Sequence, residues 1–315
     1  MAMDKLGLDR RGFLRGAAAS AVALPTVGGV LASPALAKGD DNDFGRGRHS
    51  IPRENISIQL YTLRALPLDQ QLKGLADIGY TTVEHAGFGT LTAAQFRAQL
   101  RKYGLRATSG HQAIPQPFDA TAWRKQVADA VTVGQRFIVT PASPITFPAD
   151  GNVANIKGFQ TAAEWKAYAA DLNKAGLIAR QAGLRFGYHS HFWEFAPLTD
   201  DTPLVGYDIL LAETDPNLVH FEIDLYWAWY AHRDPVPIIA AFGDRVRQFH
   251  VKDLAYVNHQ PTWADDGTGV IDFGRIFAAA GDVRNHEYIV ERDDAGANAL
   301  TTAAVGFSYL NRIRF

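Results

Sequence analysis

The stretch Gly183-Leu184-Arg185-Phe186-Gly187-Tyr188-His189-Ser190-His191-Phe192-Trp193-Glu194 is a short apolar run that breaks into a cluster of histidines and aromatic residues. A long amphipathic run, Ala162–Ala182, precedes it, and Gly183 separates the two. This is a helix, a glycine stop and a strand in direct succession. Outward from here in both directions the same unit recurs. Strands are expected over Ile56–Tyr61, Thr81–Glu84, Arg106–Gly110, Phe137–Thr140, Leu184–His189, His220–Asp224, Arg247–Val251 and Tyr288–Glu291, alternating with helical runs such as Leu68–Ile78 and Ala297–Ile313. Eight strand–helix units in roughly 260 residues predict a single (β/α)8 barrel, the TIM-barrel form of the α/β class. An open doubly wound sheet would alternate in the same way. No Gly-x-Gly-x-x-Gly turn and no Walker A loop follows the first strand to support that arrangement.

Composition narrows the chemistry. The chain has 315 residues, 47% of them apolar and 20% charged, and no cysteine. That balance describes a globular chain with one large core. Without cysteine there is no disulfide, no thiolate metal site and no cysteine nucleophile, so any metal is left to His, Asp and Glu. The N-terminus is set apart: Asp9-Arg10-Arg11-Gly12-Phe13-Leu14-Arg15 leads into a small-residue apolar segment that ends in Ala35-Leu36-Ala37. Paired arginines, a diluted apolar stretch and an A-x-A end predict a cleaved twin-arginine export signal over 1–37. The protein is therefore expected in the periplasm, with the twin-arginine export machinery as a partner and no stable membrane anchor. Residues 38–52 are expected as a flexible linker and 53–315 as the barrel. The signal carries Lys5, Arg10, Arg11 and Arg15 against Asp4 and Asp9, so its removal takes the formal net charge from −2 to −4. An acidic chain excludes nucleic acid as a partner, because phosphates demand many Lys and Arg. The oligomeric state, a homo-oligomer included, is not legible here.

In a (β/α)8 barrel, chemistry sits at the C-terminal ends of the strands. Polar residues gather at those ends: Glu84-His85, His111, His189-Ser190-His191, Glu222-Ile223-Asp224, His250-Val251-Lys252 and Glu291-Arg292-Asp293. Side chains alternate along a strand, so His189 and His191 share a face, as do Glu222 and Asp224, and His250 and Lys252. Strands five to eight then deliver His189, Asp224, His250 and Glu291 toward one point. Two imidazoles and two carboxylates suit a divalent metal ion: Mn²⁺, Co²⁺, Zn²⁺ or Mg²⁺.

The segments Gln59–Arg64, Gly79–Glu84, Gly187–Phe195, Glu222–Trp227, His250–Asp253 and Ile289–Asp293 together resemble the sugar phosphate isomerase/epimerase group of the xylose isomerase-like TIM-barrel superfamily. The resemblance implies a divalent ion held from strands five to eight, in much of the family by Glu, Asp, His and Glu. Asp224, His250 and Glu291 fall on the last three positions. His189 takes the first, where many relatives carry a glutamate that also moves a proton, and Glu194 is a candidate for the missing carboxylate.

The chemistry expected of such a site is proton abstraction beside a carbonyl, with the metal stabilising the enediolate. Glu291 is the candidate general base and Lys252 the candidate donor to the developing oxyanion. Glu84 and His111 are expected on the opposite wall; His191, Trp227 and Arg292 complete the substrate-facing set. Trp193, Tyr61 and Phe192 offer an apolar face for a sugar ring. The Gly267-Thr268-Gly269 loop reads as a turn before a helix capped by Asp272. The function expected is an exported isomerase or epimerase of an unphosphorylated sugar or keto-sugar; the alternatives are a lyase or hydratase on 3-keto-glycosides and a non-catalytic sugar-binding barrel.

Overall fold

In the computed structural model, which describes residues 49–149 and 152–315, eight parallel strands surround a central axis. They are β1 (Ile56–Ile58), β2 (Thr82–His85), β3 (Arg106–Gly110), β4 (Phe137–Thr140), β5 (Arg185–His189), β6 (Val219–Asp224), β7 (Val246–Val251) and β10 (Glu287–Val290). Six pair in the order β1-β10-β7-β6-β5-β4, and β2 pairs with β3. Single bridges Gln59↔Glu84 and His111↔Val139 complete the ring. The fold is the expected TIM barrel. The export signal expected over 1–37, with residues 38–48 of the linker, lies outside the described residues. The end of that linker stretch is docked: His49 N–H donates to Phe315 O (3.1 Å) and Ile51 is buried.

Alternation along the strands sorts the side chains. Phe186, Tyr188, Phe221, Ile223, Phe249 and Val251 join the apolar core shared with the helices. Their neighbours Gly187, His189, Glu222, Asp224, Gln248 and His250 fall on the opposite face, toward the axis. The barrel interior is therefore polar. His220 Nε2 lies 2.8 Å from Gln248 Oε1, Gln248 Nε2 donates to Ser109 Oγ (2.9 Å), and Ser109 Oγ donates to Glu84 Oε2 (2.6 Å). A Cβ at Gly187 would stand 2.4 Å from His220 Nε2, so glycine is what admits that ring.

Three local features depart from the sequence-based expectation. Strand one stops at Ile58, and Leu60–Leu63 forms a 3-10 turn in which the Gln59 side chain accepts from Tyr61 N–H. A short helix, Leu225–Tyr230, starts directly at the end of β6, capped by Asp224 Oδ1 accepting from Trp227 N–H (3.0 Å). A hairpin of β8 (Asp253–Val257) and β9 (Gln260–Ala264) is inserted after β7. Its two-residue turn holds Asn258 and His259 at φ 50° and 63°. Such a turn needs positive φ at both positions, and Asn-His hides the signal that Asn-Gly would have carried.

Close helix–strand packing generates a test. The helix Ala162–Gln181 crosses the Leu218 segment at Gly176, where a Cβ would stand 2.6 Å from the Leu218 carbonyl oxygen. Alanine normally stabilises a helix interior by about 1 kcal/mol over glycine. Overpacking against backbone costs about 1–3 kcal/mol and dominates here. Gly176→Ala should lower the unfolding free energy in denaturant titration; a more stable variant would contradict this packing.

Candidate metal centre

Strand register brings the polar residues together at the C-terminal mouth. His189 pairs alongside Glu222, Asp224 alongside His250, and His250 alongside Ile289, two residues before Glu291. Glu222 Oε1 lies 2.9 Å from His111 Nε2, 2.9 Å from His189 Nδ1 and 3.1 Å from His250 Nε2. Glu84 Oε1 lies 2.8 Å from His250 Nε2 and 3.1 Å from His111 Nε2, and also accepts from Gln59 Nε2 (2.8 Å). On the outer side, Lys252 Nζ lies 3.0 Å from Asp224 Oδ2, 2.8 Å from Glu291 Oε2 and 3.1 Å from Asp293 Oδ2. His250 Nδ1 lies 2.9 Å from the same Glu291 oxygen.

Burial and neighbouring charge oppose one another throughout. Burial disfavours the charged forms of His250 and Lys252, but the surrounding carboxylates outweigh it and raise both well above their ordinary values. His111 is likewise pushed up to about 10 against burial by Glu84 and Glu222. Burial would raise Glu84 and Glu291, yet His111 and His250 hold the first, and Lys252 and His250 the second, well below the usual carboxylate range. His189 and His191 are kept neutral by burial and then by the nearby positive groups. Burial lifts Asp224 to about 6 despite Lys252 and His250.

A divalent cation fits this donor set. Glu222 Oε2 is buried with no hydrogen-bond partner, although Oε1 of the same carboxylate faces three imidazole nitrogens. Two overlapping groups offer ligand atoms within 4.8 Å of one another: His111, His189, Glu222 and His250, and separately Asp224, His250 and Glu291. The four residues expected as ligands thus reach one mouth, but as members of both groups: His189 Nε2 is 3.8 Å from Asp224 Oδ2. Glu222 was missed as a candidate ligand; the signal was its place on the same face as Asp224.

Above the cluster opens a cavity of about 650 Å³. His111, His189, His191, Lys252, Glu291 and Asp293 line one side, and Tyr61, Phe192, Trp193, Trp227 and Trp263 supply aromatic surface. His191 stacks on Trp193, ring centroids 4.2 Å apart. Trp263 comes from the hairpin that sequence reading missed, and Asp293 was missed as a partner of Lys252.

Three expected site residues are placed elsewhere. Glu84 sits beneath the histidines, not on the cavity wall. Arg292 turns away, donating to Asp265 (2.8 Å) and Asp294 (2.7 Å). Glu194 does not join the cluster: it accepts from Tyr188 O–H (2.5 Å) and from His191 N–H (2.8 Å), tying the strand-five loop to its own strand. The Gly267 and Gly269 amides both donate to Asp253 Oδ2 (2.9 Å each), and Asp272 caps the helix Phe273–Ala280 as expected.

The chain belongs to the xylose isomerase-like TIM barrel family, whose model matches residues 72–312. An inosose dehydratase of Geobacillus kaustophilus (strain HTA426) is 24% identical over 279 residues, covering 78% of this chain and 87% of that protein. The crystal structure of a sugar phosphate isomerase/epimerase from Parabacteroides distasonis ATCC 8503 superposes with a TM-score of 0.66 at 23% identity, over 81% of this chain and 93% of the other. An IOLI protein with a binding zinc atom gives 0.62 at 14% identity, over 82% and 99%. At these identities the solved structures speak for the fold.

Burial pushes Glu194 up to about 7 from an ordinary 4.5, against the hydrogen bonds from Tyr188 and His191. The folded state thus keeps a proton that the unfolded chain loses above pH 4.5. This group's contribution to stability falls as pH rises through that window and is level above about 7. Relative to wild type, Glu194→Gln should gain up to roughly 3 kcal/mol between pH 4 and pH 8, read from denaturant titrations at both pH values. A pH-independent difference would contradict the assignment.

Proposed function

We propose that the protein is a divalent-cation-dependent enzyme that removes a proton beside the carbonyl of an unphosphorylated keto-sugar and completes the reaction by β-elimination. The observation that carries this reading is the cavity itself: carboxylates, imidazoles and one ammonium face an aromatic wall. Sugars present this pairing of polar edge and apolar C–H face. Among the described residues Lys252 is the one Lys or Arg on the lining, which argues against a phosphorylated substrate.

A divalent cation held by the clustered imidazoles and carboxylates around His250 would supply Lewis acidity to the substrate carbonyl. The chain's own residues do the rest. Glu291 lines the cavity and is ionised, the state a general base requires. Its basicity is restrained by Lys252 Nζ at 2.8 Å. When Lys252 turns to donate to the oxyanion that develops on the substrate, that restraint is relieved and Glu291 takes the proton. As the enolate collapses and the C–O bond on the neighbouring carbon breaks, Glu291 returns the proton on the same face to the departing oxygen, which leaves as water or the aglycone alcohol. Trp227 and Trp263 hold the ring and exclude water from the departing proton.

Both cavity carboxylates, Glu291 and Asp293, come from the end of β10, whereas β5 presents the neutral imidazoles His189 and His191. A one-sided carboxylate arrangement disfavours epimerisation, which needs proton carriers on both faces, and suits elimination or same-face isomerisation. The relative named inosose dehydratase favours elimination; the relative named sugar phosphate isomerase/epimerase keeps isomerisation as the second reading. The export signature at Arg10-Arg11 supports action outside the cytoplasm, where unphosphorylated sugars are the available substrates.

Incubating the metal-loaded protein with a 3-keto-glycoside and with free ketoses in heavy water tests the proposal. Deuterium should appear beside the carbonyl, with release of water or aglycone, and chelation should stop both. Glu291→Gln should reduce the exchange rate by about 10²–10⁴-fold. Deuterium without release would replace elimination by isomerisation, and loaded protein that exchanges no proton with any ketose would overturn the enzymatic reading.

A further inference from the structure

The cavity above the charged cluster has two unlike halves. The strands close in the order β1-β2-β3-β4-β5-β6-β7-β10, so the chain that follows β4 stands across the mouth from Glu291 and Asp293 at the end of β10. On the β7 and β10 side the lining is charged: Lys252, Glu291 and Asp293. From the chain after β4 it is Pro141, Ala142, Ile145, Phe147 and Ile156, with no polar side chain among these described residues. A single rung of antiparallel ladder builds this half. Thr146 N–H donates to Lys157 O (2.8 Å), and Lys157 N–H donates to Thr146 O (3.2 Å). Side chains alternate along extended backbone, so Ile145 and Phe147 share a face, and the register sets Ile156 opposite Phe147 on that face. Thr146 and Lys157 take the other face and do not line the cavity.

These three side chains do not build the core. Ile145, Phe147 and Ile156 stand outside the apolar cluster that strands and helices share, and Phe147 is 70% exposed at the rim. An apolar wall set against a polar reaction site is ligand surface. A free cyclic keto-polyol does not match it. Such a molecule bears hydroxyls around its whole edge, and those turned toward β4 would lose water without gaining a partner. The size points the same way: about 650 Å³ lies in the range that encloses a drug-sized ligand rather than a lone sugar ring. In the elimination described above, the leaving oxygen sits on the carbon next to the one deprotonated. Whatever that oxygen carries therefore begins beside Glu291 and has the rest of the cavity, across to the β4 side, to occupy.

We propose that the apolar half is a subsite for the aglycone: the substrate is a keto-glycoside whose leaving group is an aromatic or comparably apolar alcohol, and Ile145, Phe147 and Ile156 determine that preference. This deepens the elimination reading above and rests on it. The sugar ring takes the polar half beside Lys252 and Glu291. The aglycone covers Phe147 and its two neighbours, and binding removes their apolar surface from water.

The test uses the full-length, metal-loaded protein and a matched pair of ligands, the phenyl and methyl glycosides of one sugar. Titration calorimetry with the unoxidised pair reads binding without turnover, and the 3-keto form of each reads kcat and KM for release of the alcohol. Wild type should bind the phenyl compound about 10–100-fold more tightly than the methyl one, the factor that burying a phenyl-sized group supplies, and show the same preference in kcat/KM. Phe147→Ala should remove about 5–10-fold of that preference, through KM for the phenyl substrate, with turnover of the methyl substrate unchanged. Phe147→Leu should keep most of it. Phe147 is exposed, so these replacements leave the core intact. Equal affinity of wild type for the two ligands would overturn the subsite, as would an unaltered preference when Phe147→Ala is combined with Ile145→Ala. Self-association lost in Phe147→Ala on analytical ultracentrifugation, with ligand preference intact, would assign the patch to a second copy of the chain and also overturn it. Phenyl preference in binding without turnover of either keto-glycoside would overturn the elimination reading and leave the apolar subsite standing.

Discussion

Four carboxylates, Glu84, Glu222, Asp224 and Glu291, are buried in one barrel mouth, and the rest of the site follows from what it takes to keep them there. An isolated buried carboxylate costs several kcal/mol even after relaxation, so each must meet positive charge or hydrogen-bond donors. Gln59, Ser109 and His250 attend Glu84; three imidazoles attend Glu222; Lys252 attends Asp224 and Glu291. Removing one partner would strand the others, so the cluster is a single electrostatic unit rather than a set of separable pairs.

The fold is arranged to make that unit affordable. Apolar side chains that alternate with the polar ones pack between strands and helices, leaving the axis to His220, Gln248, Ser109 and Glu84. Barrels of this kind more often fill the axis with branched aliphatic residues. The polar column supports the charged mouth from below, and aromatic residues from the strand-five loop, the helix Leu225–Tyr230 and the inserted hairpin surround the cavity above it.

Much of this was legible in the sequence, for definable reasons. Strands with strict alternation and helices with capping signals were read within a residue or two; Thr161 and Glu164 form the capping box that opens the helix Ala162–Gln181. The strand-end rule brought His111, His189, Asp224, His250, Lys252 and Glu291 into view. What escaped depends on depth along the axis or on unusual turn chemistry. Glu222 and Asp224 share a face, and only three-dimensional register decides which of them stands among the imidazoles. Glu194 follows the histidines in sequence, yet the 3-10 turn Trp193–Phe195 carries its side chain back onto Tyr188. The hairpin was hidden by an Asn-His turn, and Trp263 with it.

The account places one divalent cation in the barrel mouth, among the imidazoles and carboxylates gathered around His250. Anomalous diffraction at the absorption edge of the bound metal, from crystals of the loaded protein, bears on this most directly. The account predicts one peak inside the barrel mouth, about 2.0–2.2 Å from a ring nitrogen of His250. A mouth with no peak in metal-saturated crystals, or a peak remote from His250, would contradict it.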